Sequence, residues 1–275
     1  ALFGAICALP EYYPTRTERA IFAEHREAIA GALGRGRQFV DLGAGDCGKA
    51  LRWLPLVAPA RYVAVDFAGD EIGAALAKMA PDFPGVELAG VVTDFTRGLD
   101  LDADLTAGPA TFFYPGSSIG NFTPAEALAF LRDIRRHCAA RPGSGLLIGV
   151  DTKKDKARLD DAYDDAVGVT AAFNRNVLAH VNRILGSDFR PEAFAHRGFY
   201  DADAGRIEMH LEATAPQRVR LPGATRTFAA GERIHTENSY KYAPTEFAAM
   251  LATAGFADVR CWQDAHGDFA VFHTA

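Results

Sequence analysis

Three short apolar runs near the start of the chain each lead into an aspartate, and this repeat limits the possible folds more than any other feature. RQFVDLGAGDCG (37–48) carries Asp41 into a glycine-rich turn, RYVAVDFAG (61–69) reaches Asp66, and VELAGVVTDF (86–95) reaches Asp94. KALRWLPLV and EIGAALAKMAP separate them with helical spacing. ATFFYPGSSIGNF (110–122) and GSGLLIGVDT (143–152) read as two further strands, with PAEALAFLRDIRRHCA as a helix between them. Strands alternating with helices predict a parallel sheet covered on both faces, with right-handed crossovers. In such a sheet the acids at the C-terminal strand ends face the crevice where ligands bind.

A helix over 17–33 leads into this pattern, with Thr17 as a cap and an apolar stripe from Ile21 to Leu33. Past residue 153 the rhythm changes. KARLDDAYDDAVGVTAAFNRNVLAHVNRILG reads as one long or broken helical stretch, and the alternating segments after it carry turn signals such as DADAG and LPGA. TEFAAMLATAGF (245–256) restores a helix, and VRCWQDAHGDFAVFHTA ends the chain as two strands around a turn at His266–Gly267–Asp268. The expected division is a sheet domain of residues 20–155 and 243–275, and a smaller α+β domain of residues 1–19 and 156–242.

The 275 residues carry a net charge of −6, and no Lys/Arg run exceeds a dipeptide, which argues against a nucleic-acid partner. The apolar run GLLIGV (145–150) is too short to cross a bilayer, and the opening ALFGAICALP lacks the basic region of a secretory leader. ALFGAI has helical spacing without a capping signal, so a preceding segment is expected. Cysteines 7, 47, 138 and 261 form no CxxC pair, which suits free thiols in a reducing cytoplasm. The eight histidines show no ligand spacing, so no metal is expected. A cytoplasmic monomer acting on a small molecule is the resulting expectation.

GAGDCG (43–48) matches GxGxxG, a pattern shared by packing turns and dinucleotide folds. Asp41 before the turn and Asp94 after the third run favour S-adenosylmethionine over a nicotinamide. Asp41 suits its cationic amino-acid end, Asp66 its ribose diol and Asp94 its adenine amine. Gly43, Gly45, Lys49 and Phe95 complete the candidate cofactor set. The fold class that follows is α/β: a class I methyltransferase Rossmann-like sheet, mostly parallel with an antiparallel C-terminal strand, plus the smaller α+β domain.

IHTENSYKY (234–242) has no apolar face. Strict alternation places His235, Glu237, Ser239 and Lys241 on one side, and Thr236, Asn238, Tyr240 and Tyr242 on the other. Together with LPEYYPTRTE (9–18), PGSSIGNF (115–122) and AYDDAVGVTAAFNRN (162–176), this segment resembles the histidine-specific Nα-methyltransferases of ergothioneine biosynthesis, over essentially the whole chain. The resemblance implies three methylations of the α-amino group of L-histidine, giving hercynine, by a methyltransferase domain and a substrate domain. It also implies that Glu237 and Ser239 bind the imidazole, while Asn121 and Tyr163 hold the α-amino and carboxylate end. Tyr12 contacts the substrate and is a proton relay in this reading. Phe3 and Met209 line the pocket, and Gly116 allows close backbone approach. The family usually has another aromatic residue before LFxxI, and often an apolar residue where this chain has Asn238.

Rival readings are a methyltransferase for tryptophan or a thiohistidine, a binding protein that has lost turnover, and a nicotinamide oxidoreductase. Simpler roles also exist for single residues: Glu237 paired with Lys241 or Arg233, and Asn121 capping the helix at Pro124.

Overall fold

The computed structural model describes residues 2–275. Five strands come first: β1 (Gln38–Leu42), β2 (Arg61–Asp66), β3 (Glu87–Val92), β4 (Ala110–Tyr114) and β5 (Gly145–Asp151). Then follow β6 (Phe194–Asp201), β7 (Arg206–Ala213), β8 (Gln217–Leu221), β9 (Ala224–Phe228) and β10 (Arg233–Tyr240). β11 (Arg260–Gln263) and β12 (Phe269–Thr274) close the chain.

The chain divides into two compact units, one of residues up to Arg16 with Lys153–Lys241, the other of Thr17–Thr152 with Tyr242–Ala275. The second unit holds a seven-stranded sheet in the order β11-β12-β5-β4-β1-β2-β3. β1 to β5 pair in parallel, and β12 runs antiparallel to both β5 and β11. Every residue of β1, β4 and β5 is buried, as continuous apolar runs require when helices cover both faces. Phe113 packs 5.2 Å from Phe39 on one face, while Tyr114 packs 5.0 Å from Phe130 on the other. β3 stops at Val92, so Asp94 is not a strand-end residue as the sequence suggested. It caps a short 3-10 turn, Phe95–Arg97.

The first unit holds a three-stranded antiparallel sheet, β10-β7-β6, and the hairpin β8-β9. The stretch after residue 153 is two helices, Lys156–Tyr163 and Val169–Leu185. The break falls where Asp165 turns back and accepts from the amides of Val169 and Thr170, capping the second helix. Ile207 and Met209 of β7 point into a core with Tyr13, Leu159, Ala162, Tyr163 and Tyr200.

β10 departs from strict alternation. His235 lies opposite His210 and Glu237 opposite Met209, with Thr236 bulged out between them. One extra residue reverses which face the preceding residues use. His235 therefore faces away from Glu237 and Ser239, which remain together on the core face with Met209 and Ile207. Asn238 lies opposite Glu208, on the outer face, as alternation predicts.

Candidate active site

In the seven-stranded unit, the turn after β1 is built on glycines that adopt positive φ, 69° at Gly43 and 50° at Gly45. The amides of Gly43 and Ala44 donate to Val65 O, folding the turn over the end of β2. Asp66 Oδ2 accepts from Gly45 N at 3.0 Å and Oδ1 from Ala68 N at 3.0 Å. Each oxygen thus keeps a lone pair for a hydroxyl, as a ribose diol requires. A side chain on Gly43 would meet Phe95 and Tyr114 rings at 3.9 Å, and one on Gly45 would meet nothing within 4 Å. An open backbone edge beside aromatic rings and a prepared carboxylate fits a nucleoside. Phe67, directly after Asp66, is 80% exposed, and Val92, opposite Asp66, is also exposed. Neither was singled out from sequence, although an aromatic residue following a strand-end acid was a usable signal.

Two of the predicted acids behave differently. Asp41 is buried, and Tyr62 Oη donates to its Oδ2 at 2.7 Å. Burial pushes its carboxyl up to about 7, against the Tyr62 hydrogen bond and the Lys49 charge, with Asp66 and Asp46 adding to the rise. A carboxyl raised this far, and bonded to Tyr62, offers a cationic group less charge than the sequence reading assumed. Asp94 is exposed, and both the amide and the hydroxyl of Thr96 donate to its Oδ1. Those bonds to Thr96 hold its carboxyl below the usual range, with the charge of Arg97, whose Nε lies 3.7 Å from Oδ2, adding to the effect.

Lys49 Nζ donates to Glu18 Oε2 at 2.7 Å, and Gly116 N donates to Glu18 Oε1 at 2.6 Å. Glu18 is buried, and Gly149 of β5 makes room for it: a side chain there would stand 2.4 Å from Glu18 Oε1. Glu18 thus joins the lysine of the glycine loop to the loop after β4. That loop has positive φ at Gly116 (82°) and at Ser117 (60°), and Ser117 Oγ accepts from Asp151 N. Asn121 ends the following 3-10 turn and is exposed. It does not cap the next helix, because Thr123 does so in a full capping box with Glu126.

In the other unit, Tyr163, Ser239 and Lys241 form a buried triangle. Tyr163 Oη lies 3.1 Å from Ser239 Oγ, and Lys241 Nζ donates to both at 2.9 Å. The ammonium also lies 4.6 Å from the Tyr163 ring centre. Sequence reasoning noticed Lys241 only as a neighbour of Glu237. It expected Tyr163 and Ser239 at different ends of the substrate, and the structure places their hydroxyls side by side. Tyr163 is set in place by close approach, because a side chain on Gly198 would stand 2.4 Å from Tyr163 O. His196 Nε2 meets that carbonyl at 2.8 Å while Asn174 Nδ2 donates to its Nδ1 at 2.9 Å, which fixes the tautomer.

Glu237 shares the face of Ser239 and Met209 and is half-buried. Burial raises its carboxyl above the usual value, and the Lys241 charge pulls it back. Arg233 is bonded to Glu212 at 2.7 Å, so pairing with Glu237 is not its role. The Tyr12 ring meets Tyr163 edge-on with centroids 6.1 Å apart. Phe3 lies in the helix Leu2–Ile6 and is 57% exposed, so its ring is not packed into a pocket wall.

The sheet order with its antiparallel last strand, and a diol-ready acid beside a glycine turn, define a class I S-adenosylmethionine-dependent methyltransferase. A methyltransferase from Streptomyces caelestis shares this fold with a TM-score of 0.53 at 16% identity, over 92% of this chain and 94% of that one. The chain belongs to the histidine-specific, S-adenosylmethionine-dependent methyltransferase family, whose profile matches residues 1–275. It is 41% identical to the histidine N-alpha-methyltransferase of Mycolicibacterium smegmatis, over 98% of this chain and 84% of that protein. It is 31% identical to ergothioneine biosynthesis protein 1 of Neurospora crassa, over 95% of this chain and 30% of that longer protein.

Proposed function

We propose that this methyltransferase acts on the α-amino group of L-histidine, adding three methyl groups to give hercynine for ergothioneine biosynthesis. The observation that carries the substrate assignment is the Glu237–Ser239 pair. A neutral imidazole has one N–H and one lone pair, and a carboxylate beside a hydroxyl accepts from the first and donates to the second. Lys241 donates to Ser239 Oγ, and with Tyr163 Oη donating there as well the Ser239 proton is available for the ring. Burial of Glu237 strengthens its preference for a partner with a proton to give. An indole has an N–H but no ring acceptor, so the Ser239 proton would go unmatched, and this weighs against tryptophan.

When bound, S-adenosylmethionine supplies a methyl group already activated on a sulfonium. Asp66 is assigned to the ribose hydroxyls, Gly43 and Gly45 to close backbone approach, Phe95 to packing and Asp94 Oδ2 to the adenine amine. Lys49, aimed by Glu18, offers a cation to the cofactor carboxylate. Asn121 and Gly116 take the amino-acid end of the substrate. Tyr12 relays the proton that the α-ammonium must lose before it can attack. Beyond that, the residues only hold the nucleophile in line, which by itself lowers such a barrier substantially.

The test is incubation with S-adenosylmethionine and, separately, L-histidine, L-tryptophan or a thiohistidine, with products read by mass spectrometry. Trimethylated histidine as the main product supports the assignment. Comparable kcat/KM on tryptophan or thiohistidine overturns it.

A further inference from the structure

The outer face of the three-stranded sheet carries a group of side chains that methyl transfer leaves unused. Glu208 and His210 stand two residues apart on β7, and β10 places Asn238 opposite the first and His235 opposite the second. Residues two apart on a strand share a face, and so do directly opposed residues on antiparallel neighbours. One donor atom from each of Glu208, His210 and His235 lies within 4.8 Å of the other two. The bulge at Thr236 makes this possible, because strict alternation would put His235 on the core side.

The bonding of the patch is short of donors. Arg206 donates to Glu208 Oε1, and Glu208 Oε2 lies 2.8 Å from His210 Nε2. In the tautomer where that nitrogen donates, His210 Nδ1 is a lone pair, and it is buried with no partner among the described residues. Asn238 Oδ1 is a second buried acceptor with none. His235 Nε2 lies 3.1 Å from Glu237 O, and donation to that carbonyl leaves its own Nδ1 as a lone pair. Buried polar atoms normally find partners, and an excess of lone pairs on one patch is what a cation satisfies.

We propose that Glu208, His210 and His235 form a binding site for a transition-metal ion of the zinc class, on the sheet face opposite Glu237 and Ser239. Two imidazoles and one carboxylate are a donor set that zinc and its neighbours accept, whereas calcium and magnesium take all-oxygen sets. Three protein ligands leave a coordination position open. His210 is held as a ligand before any metal arrives: its ring stacks on Phe199 at 5.6 Å and on His235 at 4.5 Å. Stacked rings direct their lone pairs nearly in parallel, so binding turns His235, which is exposed and can rotate, while His210 stays in place. The metal also ties β7 to β10 immediately before Glu237, so its occupancy bears on the strand that carries the clamp.

The experiment is titration of the whole chain with zinc, for wild type, His235→Ala and Glu208→Gln, read by calorimetry and by the zinc-dependent rise in Tm. The expected result is one zinc per wild-type chain, with affinity reduced about tenfold or more in each variant. Metal-free Tm should stay the same for His235→Ala, whose side chain is exposed. Cobalt in place of zinc should give visible bands of nitrogen and oxygen ligation, without the charge-transfer band that cysteine ligation produces. Zinc that fails to bind wild type or binds all three proteins equally, or a thiolate charge-transfer band in the cobalt protein, overturns the proposal.

Discussion

Glu18 holds a lysine side chain and a loop amide at once, and its two partners lie 31 and 98 residues away in sequence. In the sequence it is one acid on an amphipathic helix, indistinguishable from a solvated face, so nothing local announced it. Glu237 and Ser239 were legible because they lie two apart in a strand with no apolar face. Replacing Glu18 by Gln keeps one acceptor and removes the charge. The expected outcome is a loss of about 2 kcal/mol in urea unfolding, together with a raised KM for S-adenosylmethionine. Asp41 gives a second residue-scale prediction. Its carboxyl rises from 3.8 to about 7 in the folded protein. Between those values the folded chain binds more protons than the unfolded chain, so stability falls as pH rises through the window and is level above it. Asp41→Asn lacks this term. Its stability relative to wild type should therefore improve by up to about 4 kcal/mol between pH 4 and pH 8, at about 1.36 kcal/mol per pKa unit. Parallel pH curves for the two proteins would contradict it.

At the scale of elements, periodicity carried the reading. β1, β4 and β5 are apolar runs of five to seven residues that could only be buried strands, and the helices between them show clear stripes. The third run was read through to Asp94, but β3 ends at Val92, because Asp94 serves the next turn as its cap. The bulge in β10 was not legible, since Thr236 is ordinary in a strand and its bond to Met209 O depends on the pairing partner. That single residue turned a predicted row of His235, Glu237, Ser239 and Lys241 into Glu237 and Ser239 on one face and a histidine cluster on the other. The same dependence on partners hid the cluster, whose members are 25 or more residues apart between the two strands. Caps were less readable: Thr17 lies inside the helix Pro14–Glu24, and Thr123 with Glu126, not Asn121, satisfies the amides at the start of the helix Pro124–Ala140. Thr123→Ala should cost about 1 kcal/mol, measured by chemical denaturation, with methyl transfer unchanged at temperatures well below Tm.

For the whole molecule, the change of rhythm past residue 153 was read as a second unit set into the first, and the chain divides into residues up to Arg16 with Lys153–Lys241 and Thr17–Thr152 with Tyr242–Ala275. The residues proposed for the cofactor lie in the seven-stranded unit, and Glu237 and Ser239 belong to the other. No helix among the described residues is long and apolar enough to cross a membrane. The most direct measurement is calorimetric titration of L-histidine into wild type and Glu237→Ala, each saturated with S-adenosylhomocysteine. The predicted result is histidine binding in wild type, weakened about tenfold or more by the substitution, equivalent to at least about 1.4 kcal/mol, with S-adenosylhomocysteine affinity unchanged. Equal histidine affinity in the two proteins would contradict the imidazole clamp.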